Sequence, residues 1–281
     1  MSATALAGTA ELDAPQTIEP IVNYLVNDGA EIFNYTGGPG STEVKTGGTL
    51  DPHKVTMHNA RPHLAEFKLD VHGFRYARHA TAMKNFMDAD EIKRVYYPEM
   101  VELIKAESGA KRVVVFDHTL RTADDAVREE HKIREPVRRA HNDYTEWSGP
   151  QRVRDILPDE AEELLKRRFA IIQTWRPIRY PVETHPLAIA DARSVSFDDF
   201  ILSERRYPNR IGQTYAIAYN PKHKWYWLPR QAREEALVFK VYDSAKDGRA
   251  RWTAHTAFDD PTTPRNARPR ESIEIRTLAF F

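Results

Sequence analysis

The chain has 281 residues, with Lys+Arg and Asp+Glu both at 41, formal net charge zero, 12 Phe, 12 Tyr, 5 Trp and no cysteine. Balanced charge gives no sign of a polyanionic partner, so nucleic acid is not an expected partner. Without cysteine there are no disulfides, thiolate sites or thiol nucleophile, so a metal must sit on histidines and carboxylates.

No apolar run approaches a membrane span or a signal peptide, so no membrane partner is expected and the expected location is cytoplasmic. Residues 1–20 are small and polar, with Pro15 and Pro20, and read as a flexible N-terminal tail. Residues 21–281 show no linker and read as one domain. Residues 21–26 are rich in β-formers and predict a first strand. Residues 28–52, with Gly37-Gly38-Pro39-Gly40 and Gly47-Gly48, predict a long loop and a candidate lid. That glycine run lacks the Gly-Lys-Ser/Thr ending of a phosphate loop, and no buried strand leads into it.

Alternation over residues 66–72 predicts a half-buried strand. Residues 88–106 predict a helix: Asp88 is placed to cap it, Glu91 follows at capping-box spacing, and Ile92, Val95, Tyr96, Met100, Leu103 and Ile104 form a stripe. Pro98 predicts a kink or a break in that helix. Residues 111–117 predict a buried strand, and 119–136 a charged loop.

His141-Asn142-Asp143 follows. On an extended strand an imidazole and a carboxylate two residues apart point the same way and can share a cation. Alone, the pattern is weak, and a solvated loop is the more frequent explanation of it. Residues 149–156 predict a short helix, and 158–168 a longer one whose acids precede its bases as the helix dipole favours. From there strands dominate, at 169–175, 187–190, 200–204, 214–219, 224–228, 236–242, 251–256 and 272–281. Short strands between Pro, Gly and Asp turns, with no regular βαβ alternation, predict a mainly β (α+β) fold. A double-stranded β-helix (jelly roll) with covering helices fits best.

A third ligand is expected on a late strand. His223 and His185 read as turn or loop histidines, whereas His255 ends a strand-like run, which leaves His255. Two histidines and one carboxylate with open positions form the ligand set of non-haem Fe(II) oxygenases. In the last strand, alternation puts Ser272, Glu274 and Arg276 on one face, joined by Arg270 if the strand reaches back that far. A guanidinium beside a metal site suits a carboxylate, and a nearby hydroxyl adds a hydrogen bond. A dicarboxylate held at both ends describes 2-oxoglutarate.

Several motifs in order narrow the reading. They are Trp175-Arg176-Pro177, Asp191-Ala192-Arg193-Ser194, Trp225-Tyr226-Trp227-Leu228-Pro229, Phe239-Lys240-Val241-Tyr242-Asp243-Ser244, His255-Thr256-Ala257-Phe258-x-Asp260-Pro261 and Arg270-x-Ser272-Ile273-Glu274-x-Arg276. From about Val22 to the end, the chain resembles the AsaB/CmcJ-like hydroxylase/desaturase family of Fe(II)/2-oxoglutarate-dependent oxygenases. The resemblance implies His141, Asp143 and His255 as iron ligands, and Arg270 and Ser272, or Arg276, as the grip on 2-oxoglutarate. It also implies molecular oxygen as co-reactant and hydroxylation, desaturation or ring formation on a small natural product or amino acid. Thr145 (by alternation from Asp143), Trp225 and Lys240 are candidates for touching substrate or cosubstrate, although core packing competes for Trp225 and an acidic partner for Lys240. The doublets Arg138-Arg139 and Arg205-Arg206 read as solvated. Exposed aromatics are compatible with a homodimer. A non-redox metal enzyme and a small-molecule binding protein on the same roll remain the alternatives.

Overall fold

The computed structural model describes residues 14–37, 43–131, 133 and 135–281. Residues 1–13 of the expected tail and the tip of the expected lid, 38–42, lie outside the described residues. The first strands are β1 (Thr17–Ile18), β2 (Ile21–Leu25), β3 (Ile32–Thr36), β4 (Val44–Thr46), β5 (Leu50–Lys54), β6 (Met57–Asn59), β7 (Phe74–Arg78) and β8 (Arg112–Thr122). After the helical segment come β9 (His141–Asn142), β10 (Phe169–Pro177), β11 (Leu187–Ala190), β12 (Phe200–Tyr207), β13 (Arg210–Ile217), β14 (Trp225–Trp227), β15 (Glu235–Asp243), β16 (His255–Ala257) and β17 (Glu271–Phe280). The helices are α1 (Ala89–Glu91), α2 (Tyr97–Ser108), α3 (Asp125–His131), α4 (Ser148–Ile156) and α5 (Ala161–Leu164), with one π turn, Ile92–Tyr96, joining α1 to α2.

A ten-stranded sheet runs β1-β6-β14-β11-β16-β9-β13-β12-β3-β4, and a five-stranded antiparallel sheet runs β7-β15-β10-β17-β8. The two face each other as a jelly roll. Ile189 and Tyr226 from the large sheet pack with Ile171, Trp175, Leu237, Phe239, Val241 and Leu278 from the small one. The small sheet's other face is covered by α2, whose Met100, Leu103 and Ile104 meet Ile172, Ile273 and Ile275. Every residue of β10 and β15 is therefore buried, which explains the near-continuous apolar runs of these central strands. Each such side chain stabilises the fold by about 1.5–3 kcal/mol, and Leu237→Ala would cost about 2–5 kcal/mol.

The helix expected over 88–106 forms, with Asp88 accepting from the N–H groups of Asp90 and Glu91. Glu91 instead accepts from the N–H groups of Lys84 and Asn85, so no capping box closes. Pro98, without an N–H and crowding the carbonyl of Arg94, sits in the first turn of α2 just after the π turn, and the helical segment continues through it without a break.

Other expectations need correction. Within the expected tail, Thr17–Ile18 pairs with Met57–His58. The expected loop over 28–52 contains β3, β4 and β5, whose strand formers lie among glycines and polar residues on a largely exposed edge. Residues 66–72 form turns: the imidazole Nδ1 of His72 accepts from the N–H of Lys68, and Val71 and His72 both donate to the Lys68 carbonyl. The strand starts only after Gly73, whose φ of +84° suits a residue without a side chain. The helix expected over 158–168 shortens to α5, and Arg168 turns to Asp243 at 2.8 Å instead of capping it.

β17 keeps the expected alternation. Ile273, Ile275 and Ala279 join the core under α2, while Leu278 and Phe280 face the other sheet with the Ser272-Glu274-Arg276 parity. Its neighbour β8 does not. Asp117 pairs with Arg276 and Val115 with Thr277, so Phe116 is a bulge. Phe116 and Asp117, consecutive in sequence, both line the central cavity.

Candidate metal centre and its cavity

β9 lies between β16 and β13, and its backbone register sets His255 directly across from His141. The two rings stand 4.3 Å apart, centroid to centroid. Asn142 holds this short strand in place by donating to the carbonyls of Tyr144 and Val241 and accepting from the N–H of Thr253. Asp143 lies just past the strand, its Oδ1 3.5 Å from His141 Nε2. One ligand atom from each of His141, Asp143 and His255 lies within 4.8 Å of the others, close enough to share one cation.

Hydrogen bonding prepares each donor. The Nδ1 of His141 is 2.8 Å from the Arg139 carbonyl, and that of His255 is 3.0 Å from the Thr253 carbonyl. A carbonyl only accepts, so both Nδ1 atoms carry the proton and both Nε2 lone pairs are free for a metal. Burial, reinforced by the nearby His255 and Arg205, pushes His141 down to about 3 and keeps it neutral. For Asp143, burial opposes ionisation, but Arg276, with His141, His255 and Gln173, outweighs it and holds the carboxyl well below its usual range. Gln173 Nε2 donates to Asp143 Oδ2 at 2.7 Å, and Arg276 Nε lies 3.8 Å from the same oxygen. Oδ1 is thereby left on the histidine side.

The centre opens into a cavity of about 680 Å³ lined by aromatic residues, among them Phe116, Tyr144, Trp147, Trp175 and Tyr207, and by Arg205, Arg270 and Arg276. The two late arginines differ in their partners. Arg276 is neutralised, with Glu274 at 2.5 Å, Asp117 at 2.8 Å and Asp143 beyond. Arg270 is buried over the Trp175 ring and donates through Nη1 to the His185 carbonyl, while its Nε has no partner among the described residues. Burial and the Arg121 charge depress its pKa, against a smaller opposing effect of Glu274. Ser272 is buried nearby on the same strand face, its hydroxyl also without a partner. Arg270 is thus a cation short of a counter-charge, and Arg276 is not.

The three substrate candidates lie elsewhere. Thr145 is buried, accepts from the N–H groups of Trp147 and Ser148 at the start of α4 and bonds Gln213, while Tyr144 takes the cavity position. Strand parity does not carry through because β9 ends at Asn142. Trp225 is core, its indole N–H donating to the Tyr24 hydroxyl. Lys240 is fully buried between Asp70 at 2.7 Å and Asp243 at 2.9 Å. Sequence reasoning missed Gln173, whose signal was one amide inside the apolar run Ile171-Ile172-Gln173-Thr174-Trp175. It also missed Arg205, read as solvated.

The donor set fits Fe(II), and the unmatched Arg270 Nε and Ser272 Oγ fit an acidic ligand end. Comparison with known proteins agrees. The family described as "Oxidoreductase/YMDC permease-like domain" matches residues 22–280; among the described residues no helix is long and apolar enough to cross a membrane. The chain is 35% identical to the hydroxylase/desaturase CTB9 of Cercospora beticola, over 89% of this chain and 86% of the relative. It is 32% identical to the Fe(II)/2-oxoglutarate-dependent dioxygenase nvfI of Aspergillus novofumigatus, over 88% and 90%. The solved structure of the iron and alpha-ketoglutarate-dependent endoperoxidase NvfI is 28% identical, with a TM-score of 0.82 covering 94% of this chain and 98% of that one. The chain belongs to the Fe(II)/2-oxoglutarate-dependent oxygenases of the hydroxylase/desaturase type, oxidoreductases that use Fe(II), 2-oxoglutarate and molecular oxygen.

Proposed function

We propose that this oxygenase holds Fe(II) on His141, Asp143 and His255 and the far carboxylate of 2-oxoglutarate on Arg270 with Ser272. Its reaction would be hydroxylation, desaturation or ring formation on a small organic molecule. The observation that carries the reading is the cross-strand pair His141–His255 closed by Asp143 in the cavity that Arg270 also lines. When held on His141, Asp143 and His255, Fe(II) with 2-oxoglutarate and oxygen would supply the oxidising power for chemistry at a substrate C–H bond, 2-oxoglutarate being converted to succinate and carbon dioxide. The protein supplies geometry. The Arg139 and Thr253 carbonyls fix the histidine tautomers, and Gln173 and Arg276 restrain Asp143 Oδ2. Arg270 meets a carboxylate with two parallel N–H donors, and the aromatic wall limits water around the reacting carbon.

The test is succinate formation in the presence of iron, 2-oxoglutarate and oxygen, with product mass measured on candidate substrates. His141→Ala and His255→Ala are each expected to abolish it. Undiminished turnover in either variant would overturn the ligand assignment.

A further inference from the structure

We infer that the organic substrate carries a carboxylate and that Arg205 receives it. This rests on the oxygenase reading above and names the substrate class of that same cavity. β12 pairs with β13 in the register Ser203↔Thr214, Arg205↔Gly212 and Tyr207↔Arg210, and β13 pairs with β9 through Ala216↔His141. Residues directly opposite in an antiparallel pair share a face, as do alternate residues along a strand. Arg205, Gly212, Thr214 and His141 therefore look out from one side of the sheet, and all four line the cavity.

The neighbouring arginine shows what a structural role looks like here. Arg206, on the opposite face, is paired with Glu204 at 2.7 Å and Glu31 at 3.0 Å. Among the described residues Arg205 has no hydrogen-bond acceptor and no acidic partner. A neighbouring group adds charge of the same sign: Arg139 feels the Arg205 charge and, among the described residues, donates only to the neutral side-chain oxygen of Asn34, the register neighbour of Arg205 on β3. A recess of about 30 Å³, walled by Asn34, Arg139, Ser203, Arg205 and Thr214, borders the main cavity at His141. Two arginines around such a recess, with no carboxylate among its described lining residues, call for an anion from outside. Gly212, opposite Arg205, leaves room beside it: a Cβ there would make only ordinary contact with the Arg205 Cβ and carbonyl, at 3.6 and 3.9 Å. The acidic group is separated from the cosubstrate's grip because Ser272 lies on β17 of the facing sheet and Arg270 just before that strand.

The test uses Co(II)-loaded, 2-oxoglutarate-saturated full-length protein in oxygen-free buffer, with cobalt absorption and thermal shift as readouts. Benzoate, cinnamate and an alicyclic carboxylic acid are each titrated against their own methyl esters. At least one acid is expected to bind about tenfold or more tightly than its ester. Arg205→Met should abolish that preference, and Arg205→Lys should retain part of it. Absence of any acid-over-ester preference, or a preference that survives Arg205→Met, overturns the inference. So does loss of 2-oxoglutarate affinity in Arg205→Met, which would move Arg205 to the cosubstrate. Failure of the wild-type protein to show a cobalt spectrum that responds to 2-oxoglutarate would refute the underlying metal reading instead.

Discussion

Arg270 and Arg276 lie six residues apart on one strand face, yet their surroundings predict opposite behaviour on replacement. In Arg276→Met, Glu274, Asp117 and Asp143 lose their shared cation. Removing one partner from a buried ion pair costs about 3–5 kcal/mol. For a domain of this size that corresponds to a fall in Tm of roughly 5–8 °C. In Arg270→Met the protein loses a buried cation with no acid in contact, and an apolar residue of similar length replaces it. Stability should stay level or rise, because an uncompensated buried charge opposes folding. What disappears is the two-pronged contact to a carboxylate, worth about 3 kcal/mol or more than 100-fold in 2-oxoglutarate affinity. The assay is thermal unfolding of Co(II)-loaded protein with and without 2-oxoglutarate. Wild type and Arg276→Met should both be stabilised by the ligand, from different baselines, and Arg270→Met should not respond. A ligand response that is retained in Arg270→Met and lost in a well-folded Arg276→Met would refute the reasoning and exchange the roles.

Three further outcomes are expected. Gln173→Leu removes both the bond to Asp143 Oδ2 and an unpartnered buried oxygen, Oε1. Fold stability should hold while Co(II) affinity, measured by anaerobic titration, falls about 10- to 100-fold; an unchanged affinity would contradict the role given to Gln173. Trp225→Ala should cost about 3–5 kcal/mol in urea unfolding while leaving 2-oxoglutarate affinity intact, because Trp225 is core and does not line the cavity. Burial holds His58, His72, His79, His118, His141, His185 and His223 below 6.5. In metal-free protein the unfolded chain takes up protons near pH 6.5 that these folded groups refuse. Stability that is full above pH 6.5 is therefore lost as pH falls toward the lowered folded values. A urea midpoint at pH 5.5 equal to or above that at pH 7.5 would contradict this.

The ligand triad could be read in the sequence because each donor sits beside strand-forming text and cysteine competes nowhere. The Ser272-Glu274-Arg276 face was legible for the same reason: β17 runs through the small sheet without a bulge of its own, so period two holds along its length. Choosing between Arg270 and Arg276 was not legible, since besides Glu274 on the same strand it depends on Asp117 from β8 and Asp143 just past β9, which only pairing brings near. Thr145 was misplaced because period two was extended past the end of β9. Arg205 was hidden in a doublet whose two members face opposite sides, one neutralised and one not. β3 to β5 were hidden because edge strands carry little of the apolar signal that marks a central strand.

The bulge at Phe116 puts the two halves of β8 out of phase. Before it, Val113 and Val115 face α2; beyond it, His118 and Leu120 do. The odd positions of one half and the even positions of the other thus serve the same core. One strand thereby contributes an apolar ring and a carboxylate side by side to the cavity wall, in a space that regular pleating would give to one residue. Removing a single residue here would restore the regular ladder and narrow the wall, while the strand on either side kept its own partners. Cavity width is thus adjustable by an insertion or deletion of one residue, at a point where the proposed metal ligands, on or just past strands of the opposite sheet, need not move.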